Sequence, residues 1–358
     1  MPSPSNKKAM MAMSGGVDSS VGAVLLKEEG YEVEGVFMRL GIEGDEESER
    51  SARAVADKLK IKFRVLDLSK EFKKKVIDYF IAEYKNGRTP NPCVMCNKEI
   101  KFGILMDKVL EMGGDFMATG HYARLRQEIP NHKSQISKLE LLKAKDESKD
   151  QSYFLYNLTQ EKLKHCLFPL GKYAKIEVKE LAEKYKLPVL ERDESQEVCF
   201  IKSKRYGDFL KKYLELTPGD IIDTDGNKIG RHQGLPLYTI GQRRDIGIGG
   251  TGPYYVVKID FGNNKLTVSD NFSDPALYSK KLIAEEVNWI DGEDPKLPLK
   301  VKAKIRYRSG EASAVINQES KNKYQITFKI PQRAIMPGQS AVFYSGDEVV
   351  GGGVILKL

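Results

Sequence analysis

The sequence predicts an α/β protein: an N-terminal doubly wound parallel sheet, then a small central β domain and a C-terminal β-barrel. A length of 358 residues allows two or three domains, and 41% hydrophobic residues are enough to form real cores. Strand and helix signals alternate up to about Ile201, and short strands with turn residues dominate after it. We therefore expect domains at residues 1–204, 205–275 and 276–358.

The elements of the first domain follow from apolar runs and helical spacing. The run "AMMAM" at residues 9–13 is typical of a buried parallel strand, and the next helix should end at Gly30. Ser69 is a plausible N-cap for a long helix. The same signals predict strands at 31–38, 62–68 and 115–120, and helices at 17–29, 48–60, 69–85 and around 102–109.

The sequence after about Ile201 predicts short strands joined by turns. The stretch "TDGNK" predicts a tight turn centred on Asp225 and Gly226. Residues 298–310 alternate strictly, so we expect one strand there with an apolar side and a basic outer face. The segment 323–330 alternates as well, which is typical of a small β-barrel or sandwich.

Composition excludes several classes of protein. No apolar run approaches the roughly 18 residues of a membrane span, and "MPSPSNKK" lacks the apolar core of a signal peptide. Four cysteines are too few for a disulfide framework, so we expect a cytoplasmic protein without a membrane partner. The net charge of +8 points weakly to a polyanionic partner, although a solubilising surface explains it too.

A glycine-rich break, "SGGVDSS", separates the first strand from the first helix. Glycines allow a sharp turn whose N–H groups face a phosphate, and the helix adds the positive end of its dipole. No "GK[ST]" follows, which excludes a Walker A loop, and no G-x-G-x-x-G is present. The competing interpretation is an ordinary capped turn.

This string resembles the pyrophosphate loop (PP-loop) of ATP pyrophosphatases, which share the adenine nucleotide α-hydrolase-like fold. The resemblance implies binding of ATP with Mg²⁺, with the loop holding the leaving pyrophosphate. Adenine would lie at the strand ends, near Met38 and Gly120; core packing is the alternative for Met38. The implied ATP-binding residues are Ala12, Met13, Ser14, Gly15, Gly16, Val17, Asp18, Ser19, Met38 and Gly120.

Further motifs narrow the resemblance. From about residue 8 to the C-terminus the chain is similar to the bacterial tRNA-specific 2-thiouridylases. That family adenylates the 2-carbonyl of the wobble uridine, position 34 of tRNA, and replaces its oxygen with sulfur, releasing AMP and pyrophosphate. The matching stretches are "NGRTPNPCVMCNKEIKF", "ATGHYARL", "KDQSYFLY", "DESQEVCFI", "GQRRDIGIGG", "KIRYR" and "PGQSAVFY".

The cysteines raise a separate question, because a C-x-x-C at Cys93 and Cys96 fits a metal site, a disulfide, a redox pair or reagents. The resemblance implies that Cys199 carries a persulfide and that Cys96 is the nucleophile, leaving a disulfide between them. A persulfide donor, such as a cysteine desulfurase or a sulfur-carrier protein, is then a partner. We expect Asn97 to cap a helix, which would lower the pKa of Cys96. Cys199 reads as part of a semi-buried strand, and Cys166 reads as core.

Cys93 departs from the family pattern, since many members carry aspartate there, which is proposed as a general base. A thiol is a different proton acceptor, which puts that role in doubt. It also opens a second hypothesis, in which Cys93, Cys96 and Cys199 hold a 4Fe–4S cluster. A closed Zn site is less favoured, because four good ligands are not evident. We rank persulfide chemistry first and the cluster second.

The resemblance also implies contacts with the anticodon stem-loop of tRNA, including a flipped uridine. For His121 the competing interpretation is a solvated loop residue, and for the basic strand it is a solvated face. Two other functions stay open: a PP-loop amide synthetase acting on a small molecule, and a tRNA-binding protein without catalysis. The implied tRNA contacts are Asn91, Pro92, Cys93, His121, Lys149, Asp150, Gln151, Arg306, Tyr307 and Gln339.

Overall fold

The parallel sheet expected near the N-terminus is present. The computed structural model describes residues 6–127, 138–189, 198–201, 206–249 and 252–356. The strands up to residue 167 are β1 (Lys8–Ala12), β2 (Glu32–Arg39), β3 (Lys62–Asp67), β4 (Phe116–Ala118), β5 (Ala123–Gln127), β6 (Leu139–Lys143) and β7 (Cys166–Leu167). Five of them form a parallel sheet in the order β3-β2-β1-β4-β7. The order reverses between β1 and β4, so the loops after these two strands flank a crevice.

Helices cover both faces of this sheet. They are α1 (Val17–Glu28), α2 (Asp45–Leu59), α3 (Ser69–Phe72), α4 (Asp78–Lys85), α5 (Pro92–Met95), α6 (Met106–Glu111), α7 (Gln160–Leu163) and α8 (Lys175–Lys184). The π-helical segments Lys73–Ile77 and Cys96–Leu105 join α3 to α4 and α5 to α6, and Ser152–Leu155 forms a 3₁₀ turn.

The start of α3 differs from expectation. Ser69 is the first residue inside the helix, and Leu68 occupies the N-cap position. The carboxylate of Asp67 accepts from the Ser69 N–H (3.0 Å) and hydroxyl (2.6 Å). The prediction of Ser69 as N-cap is therefore wrong, because an acceptor two residues earlier already binds its N–H.

The "AMMAM" strand lies between two apolar layers. Ala9, Met10 and Met11 are 0% exposed. Met10 packs in a cluster with Phe72 and Phe102, whereas Ala9 and Met11 pack in a second cluster under α1 and α2. Burial on both faces explains the continuous apolar run and confirms the doubly wound sheet.

The central β domain is a four-stranded sheet beside α4. Its elements are α9 (Tyr206–Leu210), β8 (Gly219–Ile222), β9 (Lys228–His232), a 3₁₀ turn (Leu235–Leu237), β10 (Tyr255–Asp260) and β11 (Lys265–Ser269). The predicted Asp-Gly turn joins β8 to β9: Gly226 has φ +92°, and the Asp223 N–H donates to the Asn227 carbonyl (2.9 Å). A shared apolar cluster contains Phe80 of α4 and Leu210 of α9, so the two domains pack directly.

The last domain is a closed barrel, as predicted. After a 3₁₀ turn (Pro275–Leu277) its strands are β12 (Tyr278–Trp289), β13 (Leu299–Lys304), β14 (Ala312–Ser320), β15 (Lys323–Arg333), β16 (Ser340–Ser345) and β17 (Glu348–Ile355). They run in the order β12-β15-β14-β13-β16-β17, and pairing of β12 with β17 closes the ring. The β5–β6 hairpin joins the barrel through β17, so one sheet links the first and last domains.

The basic strand of the barrel is shorter than the alternation predicts. Val301 and Ala303 are buried while Lys300 and Lys302 are exposed, as expected. The strand ends at Lys304, however, and a turn follows in which the Ser309 N–H donates to the Arg306 carbonyl (3.1 Å). Arg306 and Tyr307 therefore lie in a turn rather than on a strand face.

Two predictions concern the chain as a whole: its domain boundaries and the absence of a membrane span. The boundary between 204 and 205 lies outside the described residues, and the boundary after 275 falls in the turn before β12; both stay predictions. In the described ranges, no helix is both long and apolar enough to cross a membrane.

Candidate active site

The glycine-rich loop connects β1 to α1 at the crevice. Gly15 has φ +79°, and a Cβ there would lie 2.4 Å from the Ser48 carbonyl oxygen. The hydroxyl of Ser51 donates to the Gly15 carbonyl (2.7 Å), which fixes the turn on α2. Gly16 occupies the N-cap of α1 and has no side chain to cap its first-turn N–H groups. The loop therefore presents a helix N-terminus suited to an anion.

The other predicted loop residues lie together around this turn. Ala12 is the last residue of β1, and the N–H of the buried Met13 donates to the Val36 carbonyl (2.8 Å). The exposed Ser14 donates its N–H to the hydroxyl of the buried Ser19 (3.1 Å). Val17 is the first residue of α1. These contacts order the loop from both sides.

The opposite wall of the crevice comes from the end of β4. A Cβ on Gly120 would lie 3.1 Å from the Ser19 nitrogen and 3.3 Å from the Asp18 Cβ. Gly120 is therefore packed against the first turn of α1, and a larger residue would push the walls apart. Met38 is half-buried at the end of β2 and packs on the apolar cluster, so both interpretations of it stay open.

Asp18, the motif carboxylate, is held by two side chains from elsewhere in the chain. Its Oδ1 accepts from Lys175 Nζ (2.7 Å) and from the Tyr122 hydroxyl (2.8 Å). Lys175 is the first residue of α8, and Tyr122 follows the β4 loop. The Gln151 side chain in turn accepts from the Tyr122 N–H (3.1 Å), which links a predicted tRNA contact to the nucleotide loop.

Two cysteines lie on a helix that begins earlier than predicted. Asn91 caps α5 by accepting from the Val94 N–H (3.2 Å), and Pro92 is the first helical residue. Helical turns then continue through Cys96 to Gly103, where the backbone kinks. Asn97 lies inside this run, so its predicted N-cap role is wrong, and Cys93 rather than Cys96 is next to the helix start.

The expected low pKa of Cys96 is also wrong. Burial raises the pKa of the Cys96 thiol to about 11, and the nearby Lys101 offsets only part of that effect. Cys93 is exposed to solvent, yet surrounding protein atoms raise its pKa as well, again with Lys101 opposing. Both thiols are therefore protonated at neutral pH in this state.

Cys199 lies in a turn near the same helix. Its side chain is exposed, so the interpretation of a semi-buried strand is wrong, while Phe200 beside it packs on Phe72 and Phe80. Surrounding protein atoms, and then Cys96 and Cys93, raise the pKa of Cys199 to about 12. These interactions bring three thiols from two distant stretches into one electrostatic neighbourhood.

Packing assigns the remaining cysteine, Cys166, to the core. Cys166 is 2% exposed and its thiol donates to the Lys162 carbonyl (3.1 Å), which confirms it as a core residue. Across the described ranges, no three or more His, Cys, Asp or Glu side chains are gathered as ligands for a metal ion. The three thiols are near one another but do not form a ligand set.

The predicted tRNA contacts of the first domain divide into buried and accessible groups. His121 is 8% exposed, contacts Phe102 and Phe168, and hydrogen-bonds to Thr119 (2.8 Å), so it is not a solvated loop residue. Burial lowers the pKa of His121 well below its usual range, which keeps the ring neutral. Asp150 is also buried: it accepts from Ala144 and Ser152 and orders the turn, whereas Lys149 is half-exposed.

The predicted contacts of the barrel lie close to the cysteine helix. Tyr307 packs on Phe154 with ring centres 4.4 Å apart. Burial, and then the charge of Arg333, lower the pKa of Arg306. Gln339 donates from Nε2 to the carbonyls of Thr89 (2.9 Å) and Pro90 (3.1 Å), just before α5.

Sequence reasoning missed two residues of this site, Lys101 and Lys175. Both are lysines among 58 basic residues; Lys101 lies inside the matching stretch "NGRTPNPCVMCNKEIKF", but the resemblance implies no role for it, and Lys175 lies outside every matching stretch. Lys101 follows the C-x-x-C by one and a half helical turns, a spacing that could have suggested a cation near the thiols. Nothing local marks Lys175.

Three family models match successive parts of the chain. They describe a tRNA methyl transferase HUP domain at residues 7–203, a tRNA methyl transferase PRC-barrel domain at 207–270, and an aminomethyltransferase beta-barrel domain at 279–355. These matches agree with the three folded units and confirm the predicted fold class.

Curated relatives match over nearly the full length. A protein of Carboxydothermus hydrogenoformans is 45% identical over 98% of this chain and 98% of its own. One of Stutzerimonas stutzeri is 44% identical over 98% of this chain and 95% of its own, and one of Acetivibrio thermocellus is 45% identical over 98% and 99%. Each is named "tRNA-specific 2-thiouridylase MnmA".

Proposed function

Because the chain belongs to the family of tRNA-specific 2-thiouridylases, we propose that it is a tRNA sulfurtransferase acting on the 2-carbonyl of the wobble uridine. ATP activates that oxygen and a cysteine persulfide replaces it. One observation carries the proposal: the domain with the phosphate-type loop at the switch point of its sheet also contains Cys93, Cys96 and Cys199, which influence one another electrostatically. A nucleotide-activating site needs no thiols unless sulfur is to be transferred.

In the activation step the uridine oxygen attacks the α-phosphorus of ATP, and pyrophosphate leaves. The loop from Ser14 to Ser19 and the N-terminus of α1 would hold the pyrophosphate, and Gly120 keeps the crevice narrow. Mg²⁺ neutralises phosphate charge when bound, and the Asp18 carboxylate at this helix end is a ligand type that it accepts. Adenylation turns a poor leaving oxygen into AMP.

In the sulfur step the terminal sulfur of a Cys199 persulfide attacks C2 of the uridine and AMP leaves. Cys96 then attacks the Cys199 sulfur, which breaks the S–S link to the base. The products are 2-thiouridine and a Cys96–Cys199 disulfide, which an external dithiol reduces. The exposure of Cys199 supports loading by a persulfide donor protein, and the lower exposure of Cys96 suits a residue that acts only on the bound intermediate.

Cys93 contacts the base in this scheme and does not act as a general base. Its raised pKa supports that assignment, because a protonated thiol at neutral pH removes no proton. The 4Fe–4S alternative uses the same three cysteines. We rank the persulfide route first because the exposed Cys199 is accessible to a persulfide donor.

For tRNA, the half-exposed residues Lys149, Arg306 and Tyr307 are the proposed contacts, while the buried Asp150 orders the turn that carries Lys149. Guanidinium and aromatic groups next to one another suit phosphates and an unstacked base. The wobble base must leave its stack to enter the crevice.

Pyrophosphate exchange with and without bulk tRNA tests the proposal. Exchange that depends on tRNA supports it, exchange without tRNA favours a small-molecule synthetase, and no exchange favours a binding protein. None of the curated relatives described above is an amide synthetase. Nucleoside mass spectrometry of tRNA from cells lacking the protein should show the loss of 2-thiouridine.

A further inference from the structure

We propose that Lys175, which pairs with the motif carboxylate Asp18, is a phosphate-binding residue of the nucleotide site. The inference rests on the proposed function, since it assigns a role within the same ATP site. Lys175 belongs to α8, outside the glycine-rich loop and outside every motif that carried the family resemblance.

The first argument is position. Lys175 Nζ lies 2.7 Å from Asp18 Oδ1, and Asp18 is the second residue of α1. The ammonium is therefore one hydrogen bond away from the helix end at which pyrophosphate is proposed to bind. A lysine has three donors on a flexible stem and binds phosphate as a point charge.

The second argument is rigidity at the base of the side chain. The Lys175 N–H donates to Asp146 (3.0 Å), and Glu177 accepts from the preceding Ala174 N–H (2.5 Å). The turn leading into α8 also packs tightly, because a Cβ on Gly171 would lie 1.8 Å from the Ala123 carbonyl oxygen. The Lys175 side chain is only 13% exposed, and its Nζ lies 5.8 Å from the centre of the Tyr122 ring.

The third argument is charge. A bare carboxylate beside the loop would repel the phosphates of ATP, and the ion pair with Lys175 neutralises that charge. If Mg²⁺ bound with ATP, Asp18 is the carboxylate that would hold it, and the Lys175 ammonium would lie beside the phosphates at the same helix end. Charge then builds up on the leaving pyrophosphate as the bond to the α-phosphorus breaks, and Lys175 stabilises it.

The test is equilibrium binding to the full-length chain, measured by calorimetry with Mg²⁺ present. Lys175→Met should weaken the binding of ATP and of inorganic pyrophosphate by about 10- to 100-fold, as expected for loss of one charge-assisted hydrogen bond. AMP affinity should stay within about twofold, because AMP lacks the two phosphates that leave. Lys175→Arg keeps the cation and should recover part of the loss.

Lys172→Met is the matched control. Lys172 lies three residues earlier, is 63% exposed and pairs with Glu29 on the surface, so its loss should leave all three affinities unchanged. Equal weakening of ATP and AMP by Lys175→Met, or no weakening, would overturn the inference. If the wild-type chain shows tRNA-dependent pyrophosphate exchange but Lys175→Met binds ATP and pyrophosphate as the wild type does, only the role of Lys175 is rejected. If the wild-type chain shows no tRNA-dependent exchange, the proposed function itself is rejected.

Discussion

Gln339 in the barrel holds Thr89 in the catalytic domain. Its side-chain amide donates to the carbonyls of Thr89 (2.9 Å) and Pro90 (3.1 Å), and the Thr89 N–H donates back to Pro337 (2.7 Å). These bonds pin the segment that enters α5, the helix of Cys93 and Cys96. A residue predicted from the sequence to contact tRNA thus also ties the barrel to the thiols.

Replacing Gln339 separates these two roles. Gln339→Ala should lower the single-turnover rate of thiolation at saturating tRNA several-fold, because two bonds of about 0.5–1.5 kcal/mol each no longer position α5. Gln332→Ala, on a half-exposed side chain that bonds locally to the Ile330 carbonyl, is the control. Weaker tRNA binding with an unchanged rate at saturation would show that Gln339 acts only as a contact.

Gly15 and Gly16 should respond differently to alanine. Gly15→Ala places a Cβ 2.4 Å from a carbonyl at φ +79°, so it should destabilise the loop by at least about 1–2 kcal/mol and abolish ATP binding. At Gly16 the nearest atom to an added Cβ is 3.7 Å away. Gly16→Ala should therefore keep the wild-type melting temperature and weaken only nucleotide binding. Loss of stability at both positions would argue against this geometry.

The disulfide predicted by the persulfide scheme can be mapped directly. A single turnover without reductant should leave a Cys96–Cys199 bond, seen by peptide mass spectrometry. Cys96→Ser and Cys199→Ser should each abolish thiolation yet retain pyrophosphate exchange, which needs no thiol. Cys166→Ser should be nearly silent, because a serine hydroxyl can keep the bond to the Lys162 carbonyl. Thiolation by either of the first two variants would contradict the scheme.

The raised pKa of Cys96 predicts the pH dependence of its reactivity. Thiolate forms as pH rises towards about 11, so alkylation of Cys96 should accelerate from pH 7 upward and have its midpoint above the ~8.5 of a free cysteine. The measurement uses a chain whose other three cysteines are serine. Lys101→Met should move the midpoint higher still, because Lys101 favours the thiolate. A midpoint below ~8.5 would instead support the lowering of the Cys96 pKa by a helix N-terminus, as the sequence predicts.

Cys93→Ser distinguishes the persulfide from the cluster. In the persulfide scheme the variant should keep partial thiolation, since serine can still approach the uridine from the same helix position. Protein purified without oxygen should contain no stoichiometric iron and show no visible absorbance. Stoichiometric iron together with a dead Cys93→Ser variant would favour the 4Fe–4S mechanism.

Much of this molecule could be predicted from local patterns. The buried core of the "AMMAM" run, the Asp225-Gly226 hairpin and the alternation at Val301 and Ala303 each follow from how a few neighbouring residues meet water or a tight turn. The motif "SGGVDSS" predicted a strand, a turn and a helix, and Gly15 does take the left-handed backbone that such a turn needs. Burial and backbone geometry over a few residues depend little on the rest of the chain.

Long-range packing decided the rest. Asn97 was expected to begin a helix, but Asn91 and Pro92 begin it a turn and a half earlier, and the thiol at Cys96 is then surrounded by protein that raises its pKa. The pairing of Lys175 with Asp18 exists only because α8 packs beside α1, and Gln339 reaches Thr89 only because the barrel closes against the first domain. Such contacts join residues far apart in sequence, so their energies depend on the docking of whole elements, which a reading of neighbouring residues cannot supply.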